Sequence, residues 1–438
     1  MSFLHSHSCE CLKSELDLFT LQPTQTAIES SQWVYYKPVS FLTDDSPIEF
    51  VVPGHGDEYI DLPHTMISLK VRLIVPARTA ENADNISKIG PVNNLLHSMF
   101  NQIDVYFNQK LVSPPNNAYA YRAYIETLLN YNNVAKTTHL TSSLWSNDTA
   151  GKMEEFGDEN KGLVERRKYL SDSRIIDMVG HLHCDVFNQD KFLLNGVELR
   201  LRLVRSKDAF CLIDPTGVSP LHIEEASLLV RRAKISPGVL IGHAKTLSSG
   251  TAKYPITRVE VKALSLHAGI HSETFDNVIL GQLPKRIIIG FVDNTAFNGS
   301  RNKNPFNFKH YQINHFSLYV DGMQIPSKPL LTDFSKDKLY VEAYQTLFTG
   351  TGIHFLNEGN NINRFDYANG YCLFAFDLTP DLSAHCFSHW NLIKHGALRI
   401  ELRFEEMLQE TINCIVYAEY DNVLKIDASR QVITDFGA

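Results

Sequence analysis

The sequence has no long apolar run: its most apolar stretch, Ile287-Ile288-Ile289 into Gly290-Phe291-Val292, falls far short of the roughly 18 residues that a membrane-spanning helix needs. No membrane span is expected. The chain also lacks a block of clustered cations, because its 41 Lys and Arg are scattered against 49 Asp and Glu, for a net charge of −8 and a pI near 6.1. Direct, sequence-specific nucleic-acid binding is therefore not expected, since affinity for phosphates rests on gathered cations that displace counterions. The N-terminus, MSFLHSHSCECLK, shows neither a basic region followed by an apolar core nor a glycine after Met1, so neither a signal peptide nor myristoylation is expected.

Cysteine is sparse. Cys9, Cys11, Cys184, Cys211, Cys372, Cys386 and Cys414 form an odd, widely spaced set, read as reduced thiols of an intracellular setting in which most behave as small hydrophobes. The sequons at Asn85, Asn147 and Asn298 are then chance matches.

What is present is that of a folded protein rich in β-structure: 44% hydrophobic residues, 21% charged, 25 Phe and 18 Tyr. At 438 residues two domains of roughly 200 each are expected. Five landmarks recur in order. Leu62-Pro63 leading to Leu73 is echoed by Leu283-Pro284 leading to Val292, and Asn101–Asn108 by Asn314–Asp321 without a gap. Ala123-Tyr124 is echoed by Ala343-Tyr344, Gly196 with Glu198–Leu201 by Gly396 with Glu401–Phe404, and Ser227–Val230 by Cys414–Tyr417. A period near 200 is a duplicated domain and not a solenoid repeat.

Within each half, apolar and polar residues alternate, as in Glu198–Leu203 and Arg399–Phe404, which reads as half-buried strands. Turn signals such as Pro53-Gly54, Asn195-Gly196 and Asp321-Gly322 punctuate them. Helical spacing is confined to Ala120–Tyr131 and Val341–Phe348. The expected fold is all-β: two tandem jelly-roll β-sandwiches, with a few short helices in connecting loops. The expected divisions are an N-terminal arm (1–35), a first jelly roll (36–235), a Gly/Ser/Pro-rich linker (236–254), a second jelly roll (255–430) and a tail (431–438). The connection 133–173 is too long and polar for a buried connector and is expected to be functional or disordered, and its counterpart in the second half, 349–367, is Gly- and Asn-rich.

Several stretches carry residues with chemical potential. His5, His7, Cys9 and Cys11 are four potential soft-metal ligands in a presumptive arm, but their i, i+2 spacing is not that of structural zinc sites. His181, His183, Cys184 and Asp185 suggest a Cys-His pair; on a strand, however, Cys184 points away from the other three. Thr349-Gly350-Thr351-Gly352 lacks the rest of a phosphate loop. Asp44-Asp45, Glu224-Glu225 and Glu405-Glu406 are adjacent carboxylates that diverge on extended chain. No catalytic, cofactor-binding or metal site is therefore assigned, and no enzyme activity is expected.

Two runs carry a family resemblance: DVFNQDKFLLNGVELRLRLVRSKDAFC from Asp185 to Cys211, and PVNNLLHSMFNQIDVY from Pro91 to Tyr106. They resemble the major capsid protein of Polinton (Maverick) elements and adintovirus-like viruses, within the double jelly-roll group that includes adenovirus hexon. The resemblance implies a homotrimer whose six jelly rolls make a pseudo-hexameric capsomer of an icosahedral DNA-virus shell. Its implied partners are further copies of itself, neighbouring capsomers and minor or penton capsid proteins. Its implied location is the virion, assembled inside the host cell, with segment 133–173 in intersubunit or outer-surface contacts. Two alternatives stay open on sequence: a jelly-roll glycan-processing enzyme such as a peptide-N-glycanase, and a structural or binding relative that does not assemble.

Overall fold

A computed structural model of the full chain describes residues 7–114, 117–353, 357, 359–386 and 388–434. Of the segments singled out above, positions 1–6, part of the 349–367 connection and positions 435–438 lie outside the described residues.

Eight strands of the first half are β1 (Ile28–Tyr36), β2 (Ile48–Val52), β3 (Glu58–Leu73), β4 (Phe100–Phe107), β5 (Lys110–Leu111), β6 (Ile175–His181), β7 (Leu199–Arg205) and β8 (Leu221–Ile235). Eight of the second are β9 (Ala252–Leu266), β10 (Ser272–Gln282), β11 (Arg286–Asp293), β12 (Ile313–Val320), β13 (Met323–Leu331), β14 (Leu373–Asp377), β15 (His395–Phe404) and β16 (Ile412–Ile426). The first half folds into antiparallel sheets ordered β1-β8-β3-β6 and β2-β7-β4-β5, the second into β9-β16-β11-β14 and β10-β15-β12-β13. Adding eight to every label of the first pair of sheets gives the second. The duplication read from sequence is thus a duplication of topology, and each unit is a two-sheet jelly roll.

Alternation sets the cores. In β7, Leu199, Leu201 and Leu203 are buried while Arg200 and Arg202 are not; in β15, Ile400, Leu402 and Phe404 are buried between exposed Arg399 and Arg403. The repeat also shows where alternation misleads. Val105 pairs with Leu201, and its counterpart Leu318 pairs with Ile400. Leu201 therefore corresponds to Ile400, whereas the Glu-Leu-Arg match had aligned it with Phe404, four residues away. An even slip leaves every side chain on its own face, so the pattern alone does not fix the register.

The hairpins joining β4 to β5 and β12 to β13 turn through Asn108-Gln109 and Asp321-Gly322, all four with positive φ (46°, 69°, 51° and 80°). That is the conformation of a two-residue hairpin turn matched to strand twist. Gly322 adopts it freely; Gln109 carries a Cβ into it.

Four longer helices interrupt the strands: α1 (Tyr119–Asn130), α2 (Lys161–Leu170), α3 (Pro237–Leu247) and α4 (Val341–Thr349). The spacing-based expectations for α1 and α4 match these closely. Most of the segment 236–254, expected as the linker, is α3, and β9 begins at Ala252. Pro237 occupies the first turn, where its missing N–H costs nothing, and Val239, Leu240 and Leu247 pack on the core. The 133–173 connection is also more ordered than expected. It contains helix Asn133–Thr137, the 3-10 turn His139–Ser143 and α2, capped by the Asn160 side chain. It has buried residues of its own, including Trp145, Met153, Leu163 and Arg166. Residues 7–27 precede β1 with one 3-10 turn, Ser14–Leu16, and leave Leu12, Leu16, Leu18, Phe19 and Leu21 exposed.

Candidate functional site

The densest concentration of buried charge lies where α1 of the first unit meets the sheet β9-β16-β11-β14 of the second. Helix α1 is buried along almost its whole length. Arg122 and Glu126, one turn apart, share a 2.8 Å ion pair, and Arg122 also donates to Asp185 at 2.6 Å. Exposures of 5%, 8% and 1% for these three side chains remove solvent screening. Glu126 reaches His183 at 2.6 Å and accepts from the Tyr417 hydroxyl of β16 at 3.3 Å. The Tyr417 oxygen also lies 3.1 Å from Glu419, which pairs with Arg286 of β11 at 3.3 Å. Asp185 accepts the backbone N–H of Val259 in β9. One continuous polar network therefore joins both units.

Its electrostatics follow from burial and pairing. Burial pushes the Glu126 carboxyl up, but Arg122 and His183 outweigh it and hold the pKa at about 2. For Asp185 burial wins over Arg122, and its pKa is raised. His97, whose ring lies 4.7 Å from that of His183, is driven well below the usual histidine range by burial and then by His183. Burial lifts the Cys184 thiol to about 12. That thiol stays protonated at neutral pH and is a poor nucleophile.

Around the network runs an aromatic layer. Tyr124 stacks on Phe306 with centroids 4.2 Å apart and planes nearly parallel, and Tyr121 packs against Phe210, Phe297, Phe306 and Phe308. The 133–173 segment closes the seam from one side. Asp148 accepts from Arg166 at 2.5 Å and from Asn160 and Asn304 at 2.9 Å each. Tyr371 donates to the Asp148 carbonyl, Lys136 to the carbonyls of Leu128 and Asn360, and Lys309 pairs with Glu154. This segment was expected between subunits or on the outer surface; within the chain it fastens one unit to the other.

Strand β6 ends at His181 and the chain turns into the 3-10 turn Asp185–Phe187. The extended face expected for His181, His183 and Asp185 therefore does not continue: His183 and Asp185 enter the seam, while His181 bonds Asn188. His7, Cys9 and Cys11 are exposed, and no cluster of three or more His, Cys, Asp or Glu able to hold a metal occurs among the described residues. The adjacent carboxylates have separate partners: Asp44 meets Arg205 and His222, Glu224 meets Arg72, Glu225 meets Lys37 and Lys70, and Glu405 accepts from Ser335. Gly350 lies against the Ala375 backbone, where a Cβ would come within 2.4 Å, so this glycine serves the packing of α4 on β14.

Sequence reasoning missed the seam itself. One signal was available: every residue of β11 is buried, and its uninterrupted apolar run marks a strand covered on both faces. Arg122 and Glu126 at helical i, i+4 spacing were a second.

The fold and seam together define the double jelly-roll class. Comparison with solved structures agrees over nearly the whole chain. It superposes on a chain of the Sputnik virophage cryo-EM structure with a TM-score of 0.66 and 13% identity, covering 98% of this chain and 94% of that one. For a chain of the PBCV-1 virus capsid model the values are 0.58, 9%, 96% and 98%, and for the mavirus major capsid protein 0.55, 12%, 99% and 95%. The chain thus has the double jelly-roll fold of viral major capsid proteins, and its sequence-level resemblance to them holds at the level of architecture. Among curated sequences, the uncharacterized protein F54H12.2 of Caenorhabditis elegans is 26% identical over 427 residues, 94% of this chain and 99% of that protein. No family model matches.

Proposed function

We propose that the chain is a major capsid protein that assembles as a homotrimer, three chains supplying six jelly rolls to a pseudo-hexameric tile of an icosahedral shell. One observation carries this reading: two units of identical strand order are locked side by side by a buried network and an aromatic layer. A rigid pair of like units is the element from which three copies make a six-part ring.

Surfaces for assembly are present. Trp33 and Tyr35 on edge strand β1, with Val39 and Phe41 after it, are exposed, as are Leu382, Trp390, Leu392 and Ile393 on the second unit. The arm adds Leu12 to Leu21. Exposed large apolar side chains of this kind are available for contacts with further copies of the chain. Further partners in this reading are neighbouring capsomers and minor or penton proteins, and the location is the virion. No helix among the described residues is long and apolar enough to cross a membrane.

Size-exclusion chromatography with light scattering tests the trimer: a mass near three times 49.6 kDa is expected, with hexagonal outlines in negative stain. A monomer persisting at high concentration overturns it.

A further inference from the structure

The loop that leaves β14 and returns to β15 brings a thiol, an imidazole, a carboxylate and two hydroxyls together, away from the seam. Cys386 Sγ lies 3.9 Å from His389 Nδ1, with the Ser388 hydroxyl 2.9 Å from the sulfur and 3.2 Å from the same ring nitrogen. The other ring nitrogen, Nε2, is 3.2 Å from Asp381 Oδ2 and 3.2 Å from the Ser383 hydroxyl, which itself donates to Asp381 Oδ1. The two nitrogens therefore have different partners. With Nε2–H donated to the carboxylate, Nδ1 is left as an acceptor facing the thiol, and Asp381 holds the ring in that tautomer and orientation.

We propose that Cys386 is a thiol–disulfide exchange site that takes small-molecule disulfides. In the step, His389 Nδ1 accepts the thiol proton, directly or through the Ser388 hydroxyl. Cys386 Sγ then attacks one sulfur of the reagent. The Sγ–S bond forms as the reagent's S–S bond breaks, and the departing thiolate takes the proton from the imidazolium. The cysteine sulfur is oxidised and the leaving sulfur reduced, so no further oxidant is required.

Three observations set this thiol apart. Cys184, Cys211, Cys372 and Cys414 are buried, whereas Cys386 is part-exposed. Its pKa is lowered, first by the Ser388 hydroxyl, then by the Ser388 backbone N–H, with a smaller contribution from His389, which is the environment of reactive cysteines. The same loop walls a cleft of about 390 Å³ lined by Leu378, Thr379, Asn391, Leu392 and Lys394. Asn391 Oδ1 lies 3.3 Å from the Ser383 hydroxyl, so the cleft adjoins the cluster. Asp381 acts as a positioning residue.

The test uses the full chain with Cys9→Ser and Cys11→Ser, treated with dithiodipyridine under native conditions. One thiol per chain is expected to react about tenfold faster than Cys9 and Cys11 do in a Cys386→Ser chain, with the adduct mapped to Cys386 by mass spectrometry. His389→Gln is expected to bring the rate down to that of the arm thiols. Asp381→Ala is expected to slow it, and Asp381→Glu to restore it. Unchanged near-UV circular dichroism shows that the loop variants stay folded. A Cys386 rate equal to that of the arm thiols, or one indifferent to His389→Gln, overturns the proposal.

Discussion

Replacing Arg122 by methionine keeps its length, removes its charge, and strands Glu126 and Asp185 in the seam. Removing one partner of a buried ion pair costs about 3–5 kcal/mol, a large part of the roughly 5–15 kcal/mol by which domains are stable. The pH dependence is more diagnostic than the loss itself. In the parent chain the Glu126 pKa of about 2 lies below its unfolded value of 4.5. Its stabilisation is therefore complete above pH 4.5 and is lost as pH falls towards 2. At about 1.4 kcal/mol per pKa unit this amounts to about 3 kcal/mol. Without Arg122, burial raises the Asp185 pKa further and is opposed at Glu126 only by His183 and the Tyr417 hydroxyl, so that protonation of the stranded carboxylates relieves part of the penalty. The deficit relative to the parent should then be about 4 kcal/mol at pH 7 and shrink by about half at pH 5. Denaturant unfolding at the two pH values measures it. Arg122→Met/Asp185→Asn keeps the acceptor for the Val259 N–H and should recover about 2 kcal/mol at pH 7. A deficit under about 1 kcal/mol, or one equal at both pH values, would refute the account of the seam as a charge-paired lock.

Three further outcomes are expected. Gln109→Gly should raise the unfolding free energy, measured by urea denaturation, by about 0.5–1 kcal/mol, because the residue occupies a left-handed turn position that its counterpart fills with glycine. Tyr124→Ala should cost about 3–5 kcal/mol by emptying the space between Trp145 and Phe306, and limited proteolysis should then cut between the units sooner. Deleting residues 7–21, whose apolar side chains touch little of the folded body, should leave the chain's unfolding free energy within about 0.5 kcal/mol of the parent. In the proposed capsid role the same deletion should reduce particle yield in electron micrographs.

The strand content, the duplication and both helices named from spacing were legible because alternation and helical periodicity are local. Register was not, since the Leu201–Phe404 alignment and the true Leu201–Ile400 correspondence put the same faces inward. The seam was less legible still. His183 and Asp185 stand two residues apart in sequence, and what gives them their roles is Glu126, Arg122 and Val259, brought from up to 74 residues away. The Cys386 cluster was invisible for a related reason: Asp381, Ser383, Cys386, Ser388 and His389 match no motif by spacing, and the loop's curvature alone gathers them.

The seam also bears on symmetry. The second unit turns one sheet towards α1 of the first, so β11 has no solvent-facing side, while α4, which follows β13 as α1 follows β5, lies on its own unit's β14. The two copies of the jelly roll are therefore no longer interchangeable: one presents a helix and the other receives it. A ring of three such chains would contain two kinds of boundary in alternation, covalently tethered and free. Its outline would be six-sided, but its rotational order would be three, and each subunit would carry a fixed sense of direction around the ring.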